Sequence, residues 1–378
     1  MLRLGMLLLC ILMTTGTAFA DDVVKIGAVL SVTGPASFIG EPEKNSIEMV
    51  RDAINASGGV LGKKIEVIIY DDESNVNKAV LSVDKLIKKD RVAVVLGPSI
   101  SGNTLAVMNK FPAAKIPMVS CAAAEKIIKP VNPWVFKVAP SDRFAVQKIL
   151  SDAKAKGYKK LAIITVSDGF GQAGREELKD LIPSSGFELV ADEVYGPKDT
   201  DMTAQLTKIK EINPDAIICW GTNPGPAVIA RNRVQLGMTT PLYMSHGVAS
   251  KKFIELAGEA AEGLLLPAGH LLVASQLPDS DPQKAVLLDY TKRYTKMFKK
   301  PVSTFGGHGS DSLNLAVKAM ENGGSTDSQA IRDNLEKIQN FAGIGGVFSF
   351  TPEDHVGLDE NAFIMVVIEN GEWKIAQK

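Results

Sequence analysis

The stretch VAVVLGPSISGNTLAVMN, residues 92–109, decides the fold. Its first six residues are almost wholly apolar and rich in β-branched side chains, the signature of a strand covered on both faces in a parallel sheet. The next seven, PSISGNT, are turn formers and hydroxyls leading into a helical run, with Ser101 or Asn103 as the expected N-cap. A strand that passes into a helix through such a loop directs unpaired N–H groups and the positive end of the helix dipole into a crevice. That crevice suits a small anion such as a carboxylate. The stretch lacks GxxxxGK[ST], so it is not a phosphate-gripping P-loop. An ordinary strand-to-helix turn would read the same way locally, and the rest of the chain decides between the two.

On either side the same grammar repeats. Strands are expected at 25–30, 64–70 and 115–120, with helices at 43–56 and 76–88; the latter is amphipathic through Val76, Val80, Val83 and Ile87. A second set begins after Pro140-Ser141-Asp142. It has helices at 143–156, 172–181, 202–212 and 226–236, and strands at 161–166, 187–195, 215–220 and 241–245. Residues 281–337 read as mostly helical, and 362–375 as a β-hairpin around Asn370-Gly371. The expected fold class is α/β, with two doubly wound parallel-sheet lobes. A tail of strands after a helical block implies that the chain crosses between lobes more than once, with candidate crossings at 138–142, 266–270 and 345–351. The lobes are then 21–139 plus 269–345 and 140–268 plus 346–378. A three-crossover hinge joins them, and ligand binds between them at the carboxyl ends of the strands.

Composition narrows the function. The 378 residues carry a formal net charge of −1, which gives no electrostatic footprint for nucleic acid or acidic membranes. Residues 1–20 read as a signal peptide, with Arg3, an apolar core at 7–13 and the small-x-small site Ala18-Phe19-Ala20. Cleavage after Ala20 removes one positive charge and leaves −2, an exported chain expected in the periplasm. Cys10 lacks the small residues that precede a lipid-modified cysteine. Cys121 and Cys219 are expected as two buried thiols, since a bridge would tie separate lobes together. Four scattered histidines without ligand spacing make neither a metal site nor a cofactor site.

Several segments resemble periplasmic substrate-binding proteins, most closely the leucine/isoleucine/valine-binding group that serves ABC importers. They are KIGAVLSVTGPASFIG (25–40), INASGGVLGKKIEVIIYDDESN (54–75), LGPSISGNT (96–104), SDGFGQAGREEL (167–178), DAIICWG (215–221), GVASKKFIELAGEAAEGLL (247–265) and GGVFSF (345–350). The likeness covers essentially all of 22–378. It implies a type I periplasmic binding fold, a monomeric bilobal trap that closes on one small molecule, delivery to an ABC permease at the membrane, and no catalysis.

The resemblance also implies a site. The ligand carboxylate falls to Ser101, with Ser99 in the same loop. In SCAAAE (120–125) Ala122 takes a main-chain contact, and Ala124 replaces a threonine. In SHGVAS (245–250) His246 stands where an acidic residue meets the ligand ammonium. Phe170 takes the place of an aromatic clamp, Asn223 that of a further tyrosine, and Phe38 and Ile39 that of a first-lobe aromatic. The carboxylate half of an amino-acid site is kept and the ammonium half is altered twice. Leaving a buried charge unpaired costs about 3–5 kcal/mol, whereas burying a leucine side chain returns only about 1.5–3 kcal/mol. A small organic acid, aromatic acids included, is therefore favoured over a branched-chain or other apolar amino acid. His308, in FGGHGSDS, is a further candidate for the cleft rim. Asp71-Asp72 and Asp354, Asp359 and Glu360 are expected to be solvated or capping.

Two other functions compete. An enzyme of a doubly wound fold would need a dinucleotide fingerprint, and GAVLSVTG after the first strand is not GxGxxG. A ligand-sensing receptor domain would be followed by a membrane helix, whereas this sequence closes on the polar GEWKIAQK.

Overall fold

The computed structural model describes residues 23–377, so the expected leader and its cleavage after Ala20 lie outside the described residues. The apolar run after Val23 forms β1 (Val23–Leu30), followed by α1 (Ser37–Ala56), β2 (Lys64–Asp71), α2 (Val76–Lys85), β3 (Val95–Leu96) and α3 (Ser101–Val107). Then come α4 (Phe111–Ala114), β4 (Met118–Ser120) and β5 (Val135–Lys137). These five strands make one parallel sheet in the order β2-β1-β3-β4-β5. Helices cover both faces, and the central residues Ile26, Ala28, Leu96 and Val119 have no solvent exposure.

The second unit repeats the plan. It runs α5 (Asp142–Ala155), β6 (Lys160–Val166), α6 (Gly169–Ser184), β7 (Glu188–Tyr195), α7 (Thr203–Ile212) and β8 (Ala216–Trp220). It continues through α8 (Gly225–Gln235), β9 (Leu242–Met244), α9 (Lys251–Ala257) and β10 (Leu265–Gly269). Three helices follow: α10 (Lys284–Phe298), α11 (Thr304–Gly323) and α12 (Ser328–Leu335). After them come a small hairpin, β11 (Phe341–Ala342) and β12 (Val347–Phe348), and a final one, β13 (Phe363–Glu369) and β14 (Glu372–Ile375). The second sheet has the order β14-β13-β10-β9-β8-β6-β7, with β13 and β14 antiparallel at its edge. Its parallel part, β7-β6-β8-β9-β10, has the same winding as the first sheet. In each sheet the strand order reverses beside the founding strand, and ligand crevices open there, outside the carboxyl ends.

Two expectations about this stretch need correction. The expected six-residue strand at 92–97 pairs as a ladder only over Val95–Leu96, although the Ala93 N–H still donates to the Lys25 carbonyl at 2.8 Å. Neither Ser101 nor Asn103 caps α3; the N-cap is Ile100, without a side-chain bond. Both polar side chains find partners on other loops instead. The Ser101 hydroxyl accepts the Ala124 N–H at 3.3 Å, and the Asn103 amide donates to Asp72 at 2.7 Å.

The last two crossings also lie further along the chain than 266–270 and 345–351. Leu271, Val273 and Leu277 still pack in the second core, and α10 bridges, with Tyr290 sharing a 2.7 Å hydrogen bond with Ser46 of α1. Phe348, Phe350, Val356 and Leu358 pack in the first core before β13 rejoins the second sheet. The lobe limits 269–345 and 346–378 shift accordingly, because apolar burial, which local patterning does not place, assigns these connections.

The Ile344–Gly345 turn is held from α11. Asp311, buried, accepts the N–H groups of Ile344 at 2.8 Å and Gly345 at 2.6 Å, while burial pushes its carboxyl up to about 7. Asp311→Ala strands two buried donors, each costing about 1–3 kcal/mol. We expect the urea unfolding midpoint to fall markedly, and an unchanged midpoint would show this turn to be held elsewhere.

Candidate functional site

The carboxyl ends of the strands from both sheets converge on one cleft. From the first lobe come Ile39 after β1, Ser99, Ile100 and Ser101 after β3, and Cys121, Ala122 and Ala123 after β4. The second lobe supplies Phe170 after β6, Thr222 after β8, and His246 and Gly247 after β9. Phe305 and His308 of α11 close the floor. The cleft measures about 390 Å³ with the open solvent at its mouth included. A further compartment adjoins it past His246, Phe305 and His308, and reaches Pro140, Gly269 and Gly345.

The lobes are in contact over this space. Ala173 of α6 packs into the first core. Lys126 and Glu176 pair across the rim at 2.6 Å, an exposed pair worth at most about 1 kcal/mol. At the mouth, Gly169 faces Gly102 so closely that a Cβ on it would lie 2.8 Å from the Gly102 Cα.

On the first-lobe wall, the loop after β3 turns at Gly97, where φ is +80° and a Cβ would lie 2.3 Å from the Val29 carbonyl oxygen. Only glycine fits there. The Ser99 hydroxyl accepts the Ser31 N–H at 3.0 Å and donates to Glu43. Burial holds Glu43 well above the usual carboxylate range. Ser31 and Asn103 both donate to Asp72 at 2.7 Å. Asp72 also caps its own turn by accepting the Ser74 N–H at 2.9 Å, so of the two expected roles, solvated or capping, it is a buried cap that braces the loop. Behind the next loop, the buried Lys137 donates to the carbonyl of Ala123 at 2.6 Å and to that of Ala124 at 3.4 Å. A cation therefore sits one layer beneath the Cys121–Ala124 wall.

On the second-lobe wall, His246 stands among the rings of Phe170, Trp220 and Phe363, with centroids 5.5, 5.6 and 5.1 Å away. Neither ring nitrogen has a hydrogen-bond partner, and Nδ1 of the buried His308 has none either. Burial lowers the pKa of His246 to about 3 and that of His308 to about 4, so both rings are neutral near pH 7.

A depressed histidine pKa contributes stability that is present above the unfolded value, near 6.5, and is lost as pH falls toward the folded value. Relative to His308→Gln, which cannot charge, the protein with His308 should lose roughly 2 kcal/mol between pH 7 and pH 5, at about 1.4 kcal/mol per pK unit. Paired denaturation curves at the two pH values measure the difference. A difference that does not change with pH would place His308 in water.

The structure brings Ser99, Ser101, Ala122, Phe170, His246 and Ile39 of the expected set to the cavity, together with His308. Phe38, Ala124 and Asn223 do not line it. Phe38 packs edge-on against Phe305 at 5.7 Å. Ala124 is fully buried, with its N–H turned to Ser101. Asn223 is buried with both amide atoms unpartnered, while its neighbour Thr222 faces the cavity. Phe305 escaped the sequence reading, although its i, i+3 spacing from His308 on a helix was the available signal. Lys137 and Asp142 escaped it too, because nothing local distinguishes a buried titratable side chain from a solvated one. The two cysteines are free and buried.

The periplasmic binding protein family model matches residues 23–372. The leucine-, isoleucine-, valine-, threonine- and alanine-binding protein of Pseudomonas aeruginosa is 24% identical over 346 residues, 91% of this chain and 87% of the relative. An extracellular ligand-binding receptor from Rhodopseudomonas palustris superposes with a TM-score of 0.87 at 28% identity, over 93% of this chain and 99% of that one. A branched-chain amino acid transporter substrate binding protein of Streptococcus pneumoniae, solved in complex with isoleucine, gives a TM-score of 0.84 at 26% identity. That match covers 94% of this chain and 99% of the other.

Proposed function

The chain belongs to the periplasmic binding protein family, and from that premise we propose that it is the solute-binding component of an ABC importer of the branched-chain amino acid type, taking a small carboxylate that lacks an amine. One observation carries the ligand reading. Among the described residues lining the two compartments there is no Asp, Glu, Lys or Arg, and a neutral histidine occupies the position where the resemblance puts the ammonium's acid. A buried ammonium would go without a counter-charge, at about 3–5 kcal/mol. A carboxylate has the Ser101 hydroxyl and the Lys137 cation beneath the Cys121–Ala124 loop. Apolar and aromatic lining around the rest of the space favours an organic acid with a hydrophobic body, aromatic acids included.

Isothermal titration of the protein with benzoate-type acids and with leucine tests this. Heat of binding with the acids and none with leucine is expected; tight leucine binding without response to the acids would sink the reading. Asp142, 3.5 Å from His246, favours the second reading, an apolar amino acid whose ammonium meets a negative His246–Asp142 pair. Export with cleavage after Ala20, action as a monomer and delivery to a membrane permease are parts of the same proposal. Genes for a permease and an ATPase beside this one are expected, and a sensor kinase there instead would favour a receptor role.

A further inference from the structure

We propose that Asp142 is a positioning residue that sets the ring tautomer of His246, and thereby makes the site offer its ligand a hydrogen-bond donor rather than an acceptor. The proposal rests on His246 being a ligand contact, as in the reading above. Asp142 opens α5, has no solvent exposure, and neither of its carboxyl oxygens receives a hydrogen bond. Its Oδ1 lies 3.5 Å from His246 Nε2, a few tenths of an ångström beyond ordinary hydrogen-bonding distance, and that nitrogen has no other partner. The nearby cation does not satisfy it, because the Lys137 ammonium is directed at the carbonyls of Ala123 and Ala124.

A carboxyl buried without donors keeps its proton, and burial indeed raises the pKa of Asp142. His246 is neutral for the same reason, so its ring carries a single N–H. A protonated Asp142 is an O–H donor and can only bond a ring nitrogen that bears a lone pair. That nitrogen is Nε2, so the ring proton sits on Nδ1, which has no protein partner. An N–H at that position complements a carboxylate, carbonyl or ether oxygen and repels an ammonium. An ionised Asp142 would do the reverse: it would take the proton on Nε2 and leave a bare Nδ1 lone pair, which suits an amine.

Nitrogen-15 NMR of the protein labelled in its histidine rings, with His246 assigned by loss of its signals in His246→Gln, reads the tautomer without any ligand. We expect a pyrrole-type Nδ1 and a pyridine-type Nε2 at pH 7. Asp142→Asn should keep that pattern, since its amide N–H replaces the O–H. Asp142→Leu should lose it and weaken benzoate binding about tenfold, the worth of one hydrogen bond. A protonated Nε2 in the unsubstituted protein overturns the proposal even if the leucine variant fails to fold. So does an Asp142→Leu variant whose tautomer is unchanged. If the acids fail to bind while Nδ1–H is observed, the ligand class falls and the role of Asp142 stands. Binding of the acids with Nε2–H observed does the opposite.

Discussion

Gly169→Ala should weaken ligand binding by roughly 5- to 150-fold while leaving the unliganded protein as stable as before. Gly169 is the first residue of α6, and Asp168 caps that helix by accepting the N–H groups of Phe170 and Gly171 at 3.0 and 2.9 Å. An alanine is acceptable to a helix there and removes glycine's entropic cost of about 0.5–1 kcal/mol. The added Cβ would meet Gly102 of the other lobe, 2.8 Å from its Cα and 3.0 Å from its nitrogen. Both are backbone atoms and cannot swing away. The clash exists only when the lobes meet, so its cost falls on closure. Overpacking of this kind costs about 1–3 kcal/mol, which at 1.4 kcal/mol per tenfold gives the stated range. Titration calorimetry measures the loss, and X-ray scattering of the ligand-saturated variant should show it more open. Unweakened binding would mean that the ligand does not need the lobes to touch at this point.

The second large effect is expected at His246. His246→Glu puts a carboxylate where neutral imidazole now stands, beside Asp142 and among three aromatic rings. Binding of amine-free acids should fall by a hundredfold or more, because two negative groups would share a space without a cation between them. Leucine should gain affinity by a comparable factor, since its ammonium relieves an unpaired buried charge worth about 3–5 kcal/mol. The empty variant should melt lower than the parent and recover with leucine. If it binds benzoate-type acids as the parent does and ignores leucine, His246 lies outside the ligand's reach. The partner change, Ala124→Thr, is expected to matter far less. Ala124 is fully buried and contributes its N–H rather than its side chain.

The two-lobe fold was legible from the order of βα units, and membership of the periplasmic binding protein family from the segments quoted. Residues 99–101 and 246 were legible as positions on the cleft wall as well. Parallel strands buried on both faces announce themselves as short apolar runs, and turns announce themselves as glycine and hydroxyl clusters; both signals are local. Phe38 shows where that kind of reading stops. It and Ile39 are neighbours on α1, yet only Ile39 reaches the cavity while Phe38 turns to Phe305. The choice between them depends on α11, which lies more than 260 positions away in sequence.

The sequence by itself therefore determined the two repeated α/β units, their family and the loops from which a site would be built. Tertiary structure alone decided which side chains on those loops face the cleft, where the connections change lobes, and that Lys137 and Asp142 lie buried behind it. The physical reason is range. Periodicity reports which side of its own element a residue faces, whereas burial, and with it every shifted pKa around His246, depends on atoms brought from both sheets and from α11 when the chain closes on itself.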